Sequence, residues 1–225
     1  MTTKNKQIKR ASSFIAIIGI LAILVLSFLA YKEMSRQPVV VAPIASGAGS
    51  SNADVVKEAT DETPVTAASV KEYTVPADEP RTLRINSLNI SAKVRVMGIN
   101  SIGAIAAPVN IYDSGWYGGS SKPGAPGAMF IDGHASGATR KGLFAYIDTL
   151  KDGNEVSIER GDGQVLNYKV VHVETVSKDS VDMQKVLRTY GGAKEGLNLM
   201  TCTGTWIQNE RTYDKRVIVY TERVL

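Results

Sequence analysis

From residue 81 onward the sequence predicts an all-β domain, a closed barrel or a sandwich, behind a single N-terminal transmembrane helix. Three observations carry this. The apolar period of the C-terminal part is mostly two rather than 3.6, as in pleated strands with alternating faces. Segments of this kind recur about seven times, separated by Gly, Asn and Asp clusters, a spacing suited to a barrel or sandwich. One uncharged apolar run, residues 14–31, stands apart at the N-terminus, and no other long helical pattern exists to bury it.

That run, FIAIIGILAILVLSFLAY, has 18 residues, near the ~20 that span a hydrocarbon core as a helix. A signal-peptide core is shorter, roughly 7 to 15 residues. Lys4, Lys6, Lys9 and Arg10 precede it, whereas only Lys32 and Arg36 follow closely, so the N-terminus is expected in the cytoplasm and the rest outside. The expected organisation is a cytoplasmic tail (1–13), a signal anchor (14–31), an extracellular linker (32–80) and one folded domain (81–225). Ser27 to Ala30 offers a weak cleavage site, so a cleaved signal is the competing reading. Pro38, Pro43, Pro64, Pro76, Pro80 and the Ser46-Gly-Ala-Gly-Ser-Ser51 stretch mark the linker. The formal charge of +4 owes much to the short tail, and no nucleic-acid partner is expected.

Within the domain, strands are expected at Thr82–Ile85, Ala92–Ile99, Ala128–His134, Glu155–Ile158, Leu166–Val176, Leu197–Cys202 and Arg216–Arg223, rich in Val, Ile, Tyr and Thr. Gly161-Asp-Gly163 reads as a hairpin turn. Only Leu143–Leu150 and Val181–Arg188 have helical patterns, and both are short.

Cys202 is the one cysteine of 225 residues. Outside the cell an unpaired thiol is either buried and inert or kept for its reactivity. Thr-Cys-Thr-Gly stands where an apolar strand gives way to polar residues, so the thiol is expected at a strand end, half exposed. A thiol becomes an effective nucleophile when a base or cation shifts it toward thiolate. The chain has two histidines. His134 closes its strand and opens into Ala-Ser-Gly. His172 lies mid-strand, on a face shared with Tyr168, Val170 and Glu174, and is expected to be a satisfied or surface imidazole. The strands holding Cys202 and Arg216 are consecutive, joined by a 13-residue loop. If they pair antiparallel, Arg216 lies beside Cys202, able to aim paired N–H donors at a carbonyl oxygen that turns negative. Arg211, within the loop, is the competitor, and Lys215 alternates to the opposite face.

Gly133-His134, Asn198-Leu-Met-Thr-Cys202 and Asp214-Lys-Arg216-Val-Ile-Val-Tyr220 together resemble the sortases: their histidine, their Thr-Leu-X-Thr-Cys motif and their arginine strand. The similarity runs from about Thr82 to the C-terminus and includes Arg84-Ile85, Gly115-Trp-Tyr-Gly118 and Lys122-Pro-Gly124. It is nearest the short, lid-free sortases of the class E and F kind. Asn198 departs from the family's usual threonine.

The resemblance implies a closed eight-stranded sortase-like β-barrel with one or two short helices, and a cysteine transpeptidase. It implies Cys202 as nucleophile, His134 as acid and base, and Arg216 as oxyanion stabiliser, with Thr201, Met200 and Ala135 contacting substrate. The implied substrates are secreted proteins with a C-terminal Leu-Pro-X-Thr-Gly-like sorting signal, and the implied acceptor is an amine of lipid II or peptidoglycan. No Asp-Pro-aromatic lid precedes the histidine, which favours anchoring of single proteins over pilus building. No cofactor or metal is expected. Asp132, Asp148, Asp152 and Glu155 lack metal-loop spacing, and a calcium site built from separate loops stays open. Two rival classes are a membrane-tethered β-domain that only binds, and a cell-wall transpeptidase of the L,D type, which would instead resemble a Ser-X-Gly-Cys pattern.

Overall fold

The computed structural model describes residues 61–224. The expected anchor at 14–31 and most of the linker lie outside the described residues. Among the described residues, no helix is long and apolar enough to cross a membrane.

Eight strands close a barrel: β1 (Pro80–Ile85), β2 (Ile90–Met97), β3 (Ser114–Tyr117), β4 (Gly127–Gly133), β5 (Glu155–Arg160), β6 (Val165–Ser177), β7 (Glu195–Ile207) and β8 (Thr212–Arg223). Their order around it is β1-β2-β3-β4-β7-β8-β6-β5. The β2–β3 and β4–β7 pairs are parallel, and the other joins are antiparallel. The alternation read from the sequence sorts residues between the two faces of this sheet. Met129 and Ile131 of β4, Leu197 and Leu199 of β7, and Val217 and Val219 of β8 fill the interior with Trp116, Phe144, Ile158 and Tyr168.

The strand that sequence patterning missed is β3, too short and too glycine-containing to show a period of two. Its indole is placed by hydrogen bonds: Trp116 Nε1 donates to Ser120 Oγ at 3.1 Å. Neither expected helix forms at its full length. Over Leu143–Leu150 the chain makes turns and a 3-10 segment, Ile147–Thr149. Phe144, Ile147 and Leu150 are buried there, and their spacing of three suits that tighter winding. Over Val181–Arg188 only Met183–Val186 is α-helical, capped by Asp182, whose carboxylate accepts from Gln184 N and Lys185 N.

Outside the barrel, a second apolar cluster forms on the outer faces of β4 and β8, from Phe130, Ile218 and Tyr220, covered by Val186 and flanked by Met183, Leu187, Tyr190 and Met200. The β6–β7 connection thus covers this part of the sheet. Strands buried on both faces read as continuous apolar runs, which accounts for Ala-Met-Phe-Ile in β4 and Val-Ile-Val-Tyr in β8.

The linker expected to run to residue 80 is structured over its described part. A helix, α1 (Ala67–Glu72), begins at Thr66, whose side chain accepts from Ser69 N. Val70 is buried. Tyr73 donates its hydroxyl proton to Val94 O at 3.1 Å, and its ring lies 4.8 Å from the Arg95 guanidinium. The folded body therefore begins upstream of residue 81.

Candidate active site

The β7–β8 ladder pairs Cys202 directly with Arg216. Directly opposed residues share a face, with Cβ atoms about 4.5–5.5 Å apart. The expected 13-residue loop is instead mostly hairpin, because β7 continues to Ile207 and β8 starts at Thr212. Cys202 is thus not at a strand end, although it is half-buried as expected. A bulge between Thr203 and Trp206 lets the ladder continue. Gly204 supplies its positive φ of 89°, and Asp214 Oδ1 accepts from Thr205 N at 2.7 Å. Lys215 pairs with Thr203, one step along and therefore on the opposite face.

On the other side of β7, the parallel ladder with β4 runs as far as Asp132 opposite Met200. Two residues beyond that pair are Cys202, within β7, and His134, just past the end of β4. The join is fastened one residue earlier, where Thr201 Oγ1 donates to Gly133 O at 2.8 Å. Because β4 ends at Gly133 while β7 continues to Ile207, the β4–β7 ladder stops short of the thiol.

His134 Nε2 lies 2.7 Å from Pro108 O. A carbonyl only accepts, so this assigns the ring proton to Nε2 and leaves Nδ1 as the basic nitrogen of the neutral imidazole. Arg216 is turned toward its own strand. Nη1 donates to Tyr213 O at 2.8 Å and Lys215 O at 2.9 Å, and Nη2 to Thr212 Oγ1 at 3.0 Å. Of the five guanidinium N–H groups, two remain available among the described residues. Tyr213 links this arrangement to the histidine loop, since its hydroxyl is 2.7 Å from Ser136 Oγ.

The sortase-domain family model matches residues 83–224.

The chain belongs to the sortase family.

Sortases are cysteine transpeptidases, so the readings as a pure binding module or an L,D-type enzyme are set aside. No curated protein matches the sequence. Solved structures share the fold: a Clostridium perfringens sortase C solved with the C-terminal cell wall sorting motif is 24% identical, covering 66% of this chain and 72% of that one at a TM-score of 0.50. Sortase A from Corynebacterium diphtheriae, lid mutant, is 20% identical, with coverage of 69% and 74% and a TM-score of 0.50. Group B Streptococcus Pilus Island 1 sortase C2 is 19% identical, with coverage of 76% and 85% and a TM-score of 0.50.

The residues expected to touch substrate divide. Met200 is half-buried beside the outer cluster. Ala135 lies in the loop after His134, where its carbonyl accepts from Gly142 N at 2.9 Å. Thr201 is the correction: it is buried, faces the interior with Leu199, and has its hydroxyl proton committed to Gly133. Its side chain ties strands together and is not displayed on the Cys202 face.

His172 is distant in topology, two strands from β7. The sequence pattern places it on the face of Tyr168 and Val170, but a bulge between Val170 and His172 shifts it to the outer face. There it stacks on Tyr190, centroids 4.8 Å apart, near Glu174. Burial raises the Glu174 carboxyl pKa, but hydrogen bonds from Lys185 and Tyr220 outweigh it and hold the group below its usual value.

Three residues of the site escaped sequence reasoning. Pro108 and Tyr213 act on it through a backbone carbonyl and a phenol, and nothing in a sequence marks either. Asn198 did carry a signal, its departure from the usual threonine. It is buried, and its Nδ2 donates to Val186 O at 2.7 Å and Arg188 O at 2.8 Å, fastening the β6–β7 connection over the sheet. Among the described residues, no three His, Cys, Asp or Glu side chains group as metal ligands.

Proposed function

We propose that this sortase is a membrane-anchored transpeptidase of the lid-free kind that joins secreted proteins to the cell wall. The observation that carries the proposal is the pairing of Cys202 with Arg216 across β7 and β8, with His134 just past the end of the neighbouring β4. Cys202 Sγ, as thiolate, attacks the carbonyl of the residue before the scissile bond in a Leu-Pro-X-Thr-Gly-like signal. The carbonyl oxygen takes the negative charge, and Arg216 stabilises it with N–H donors. His134, as imidazolium, gives the Nδ1 proton to the departing amine, leaving a thioester on Cys202. An incoming amine, of lipid II or a peptidoglycan stem, loses its proton to Nδ1 as it attacks, and the thiolate leaves.

The substrate class is supported by the Clostridium perfringens sortase C, which was solved with a C-terminal cell wall sorting motif. Met200 and Ala135 flank the reacting groups and are assigned to substrate contact. Thiol, imidazole and guanidinium supply nucleophile, proton transfer and charge stabilisation, so no cofactor is assigned. Residues 14–31 place the enzyme at the membrane with its N-terminus in the cytoplasm and its barrel outside, beside membrane-borne acceptors.

Transfer prevails over hydrolysis only if the site binds and orients the amine, positioning worth ~7 to 11 kcal/mol at best. The test is incubation with a library of five-residue sorting peptides, with and without a glycine-terminated peptide or a diamine at a few millimolar, read by mass. The expected product is the amide, formed faster than the free acid is without amine. Free acid that stays dominant at saturating levels of several amines would make the domain a cysteine endopeptidase.

A further inference from the structure

Two consecutive residues upstream of the barrel fasten both loops that hold His134. Both loops lie outside the strand ladders, since β4 ends at Gly133 and β2 and β3 leave residues 98–113 between them. Glu62 grips the loop that carries the histidine: its carboxylate accepts from Thr139 N at 2.8 Å and from the Thr139 hydroxyl. Asp61 grips the loop that carries Pro108. Asp61 N donates to Val109 O, and Ile111 N donates to Asp61 O, each at 2.9 Å. Asn110 Nδ2 completes the joint, donating to Asp61 Oδ2 at 3.0 Å and Thr63 O at 2.9 Å.

The histidine loop is shaped to receive this carboxylate. At Gly137 a Cβ would overlap Glu62 Oε1, so the absence of a side chain there lets Glu62 reach Thr139. The two gripped loops meet where Leu143 N donates to Ile111 O at 2.8 Å and, at the imidazole itself, at the hydrogen bond from His134 Nε2 to Pro108 O. That bond selects the tautomer with Nδ1 basic, so a shift of one loop against the other changes both the aim of the ring and the nitrogen that carries its proton.

We propose that Glu62, seated by Asp61, is a positioning residue for His134. The proposal rests on the transpeptidase reading of the site. Glu62 and Thr139 lie at the surface, where such bonds contribute little to global stability. Their effect falls on geometry, and a displacement of about 1 Å can cost ~10²-fold in rate.

The test uses the full chain in nanodiscs, labelled with 15N-histidine, as wild type, Glu62→Ala, Glu62→Gln and Thr139→Val. Only His134 and His172 contribute ring signals, since the chain has two histidines. In wild type the neutral His134 ring should carry its proton on Nε2. In Glu62→Ala it should become a mixture of tautomers with faster Nε2–H exchange, while His172 stays unchanged and reports an intact fold. In peptide turnover the same variant should lose about tenfold in kcat with KM within about twofold, and Glu62→Gln and Thr139→Val should lose less. If His172 also shifts in Glu62→Ala, the two milder variants decide by the same signals. An unchanged His134 ring and unchanged kcat would overturn the proposal. A tautomer shift in a protein whose wild type turns over no sorting peptide would uphold the positioning role and reject the transpeptidase reading.

Discussion

Cys202 and Arg216 are register partners across the β7–β8 hairpin, so a thiol and a guanidinium leave the sheet on one face from neighbouring strands. Cross-strand partners are held by the ladder itself rather than by a loop. Their spacing is thus as rigid as the barrel, whereas His134 depends on a loop beyond the end of β4.

Replacing Cys202 by alanine should leave the fold intact and abolish turnover. The thiol is half-buried and small, so its loss should change stability by no more than about 1 kcal/mol. Thermal denaturation should match wild type, and mass spectrometry should detect neither free acid nor amide.

At Arg216, lysine should lose about 10²-fold or more in kcat, since an ammonium keeps the charge but not the planar fork. Arg211→Ala should be nearly silent. Arg211 is exposed and sits in the turn with φ of 53°, a strain that alanine shares. Steady-state kinetics on both variants check this, and reversed phenotypes would reassign the oxyanion role.

Asn198→Ala should orphan the carbonyls of Val186 and Arg188, at about 1–3 kcal/mol for a buried unsatisfied group. The melting temperature should fall by several degrees, and amide exchange should rise across residues 183–190. Threonine, the family's usual residue, offers one donor and should recover only part of the loss. Equal stability of all three proteins would remove Asn198 from this role.

Acid sensitivity should follow Glu159, which bridges Arg81 and Arg84 between β5 and β1. Burial raises its pKa, but hydrogen bonds from Arg84 and Arg81 and their charges outweigh that and leave it lowered. A depressed folded-state pKa contributes stability above the unfolded value, about 4.3, that is lost as pH falls through the folded one. Chemical denaturation from pH 7 down to 3 should show wild type losing stability below about pH 5. Glu159→Gln should start less stable at pH 7 and lose less on acidification.

Much of the architecture was legible because the physics behind it is local. Alternation in Leu197–Cys202 and Arg216–Arg223 revealed two strands, and their chain order suggested that Arg216 meets Cys202. The extent of the hairpin was not legible, since Thr-Gly-Thr reads as loop until Gly204 and Asp214 are seen to make a bulge. His172 went to the wrong face for the same reason: one extra residue in β6 reverses the alternation. The structured stretch before residue 80 was hidden by its prolines and charges, and its order comes from contacts with Val94, Arg95 and Asn110, distant in the chain.

The sequence by itself determined the chemistry available and the residues that carry it: one thiol, one histidine at a strand end, one arginine in the following strand, and a motif order that marks the family. These depend on residue identity and short-range periodicity, which a linear chain states directly. Only the tertiary structure decided that Thr201 faces inward, that His134 donates to Pro108 O, that Asn198 fastens the cover over β4 and β8, and that Glu62 grips the histidine loop. Each of those rests on a partner fixed by closure of the barrel. Hydrogen bonds act over about 3 Å, and which atoms come that close is set by the whole fold rather than by neighbours in the chain.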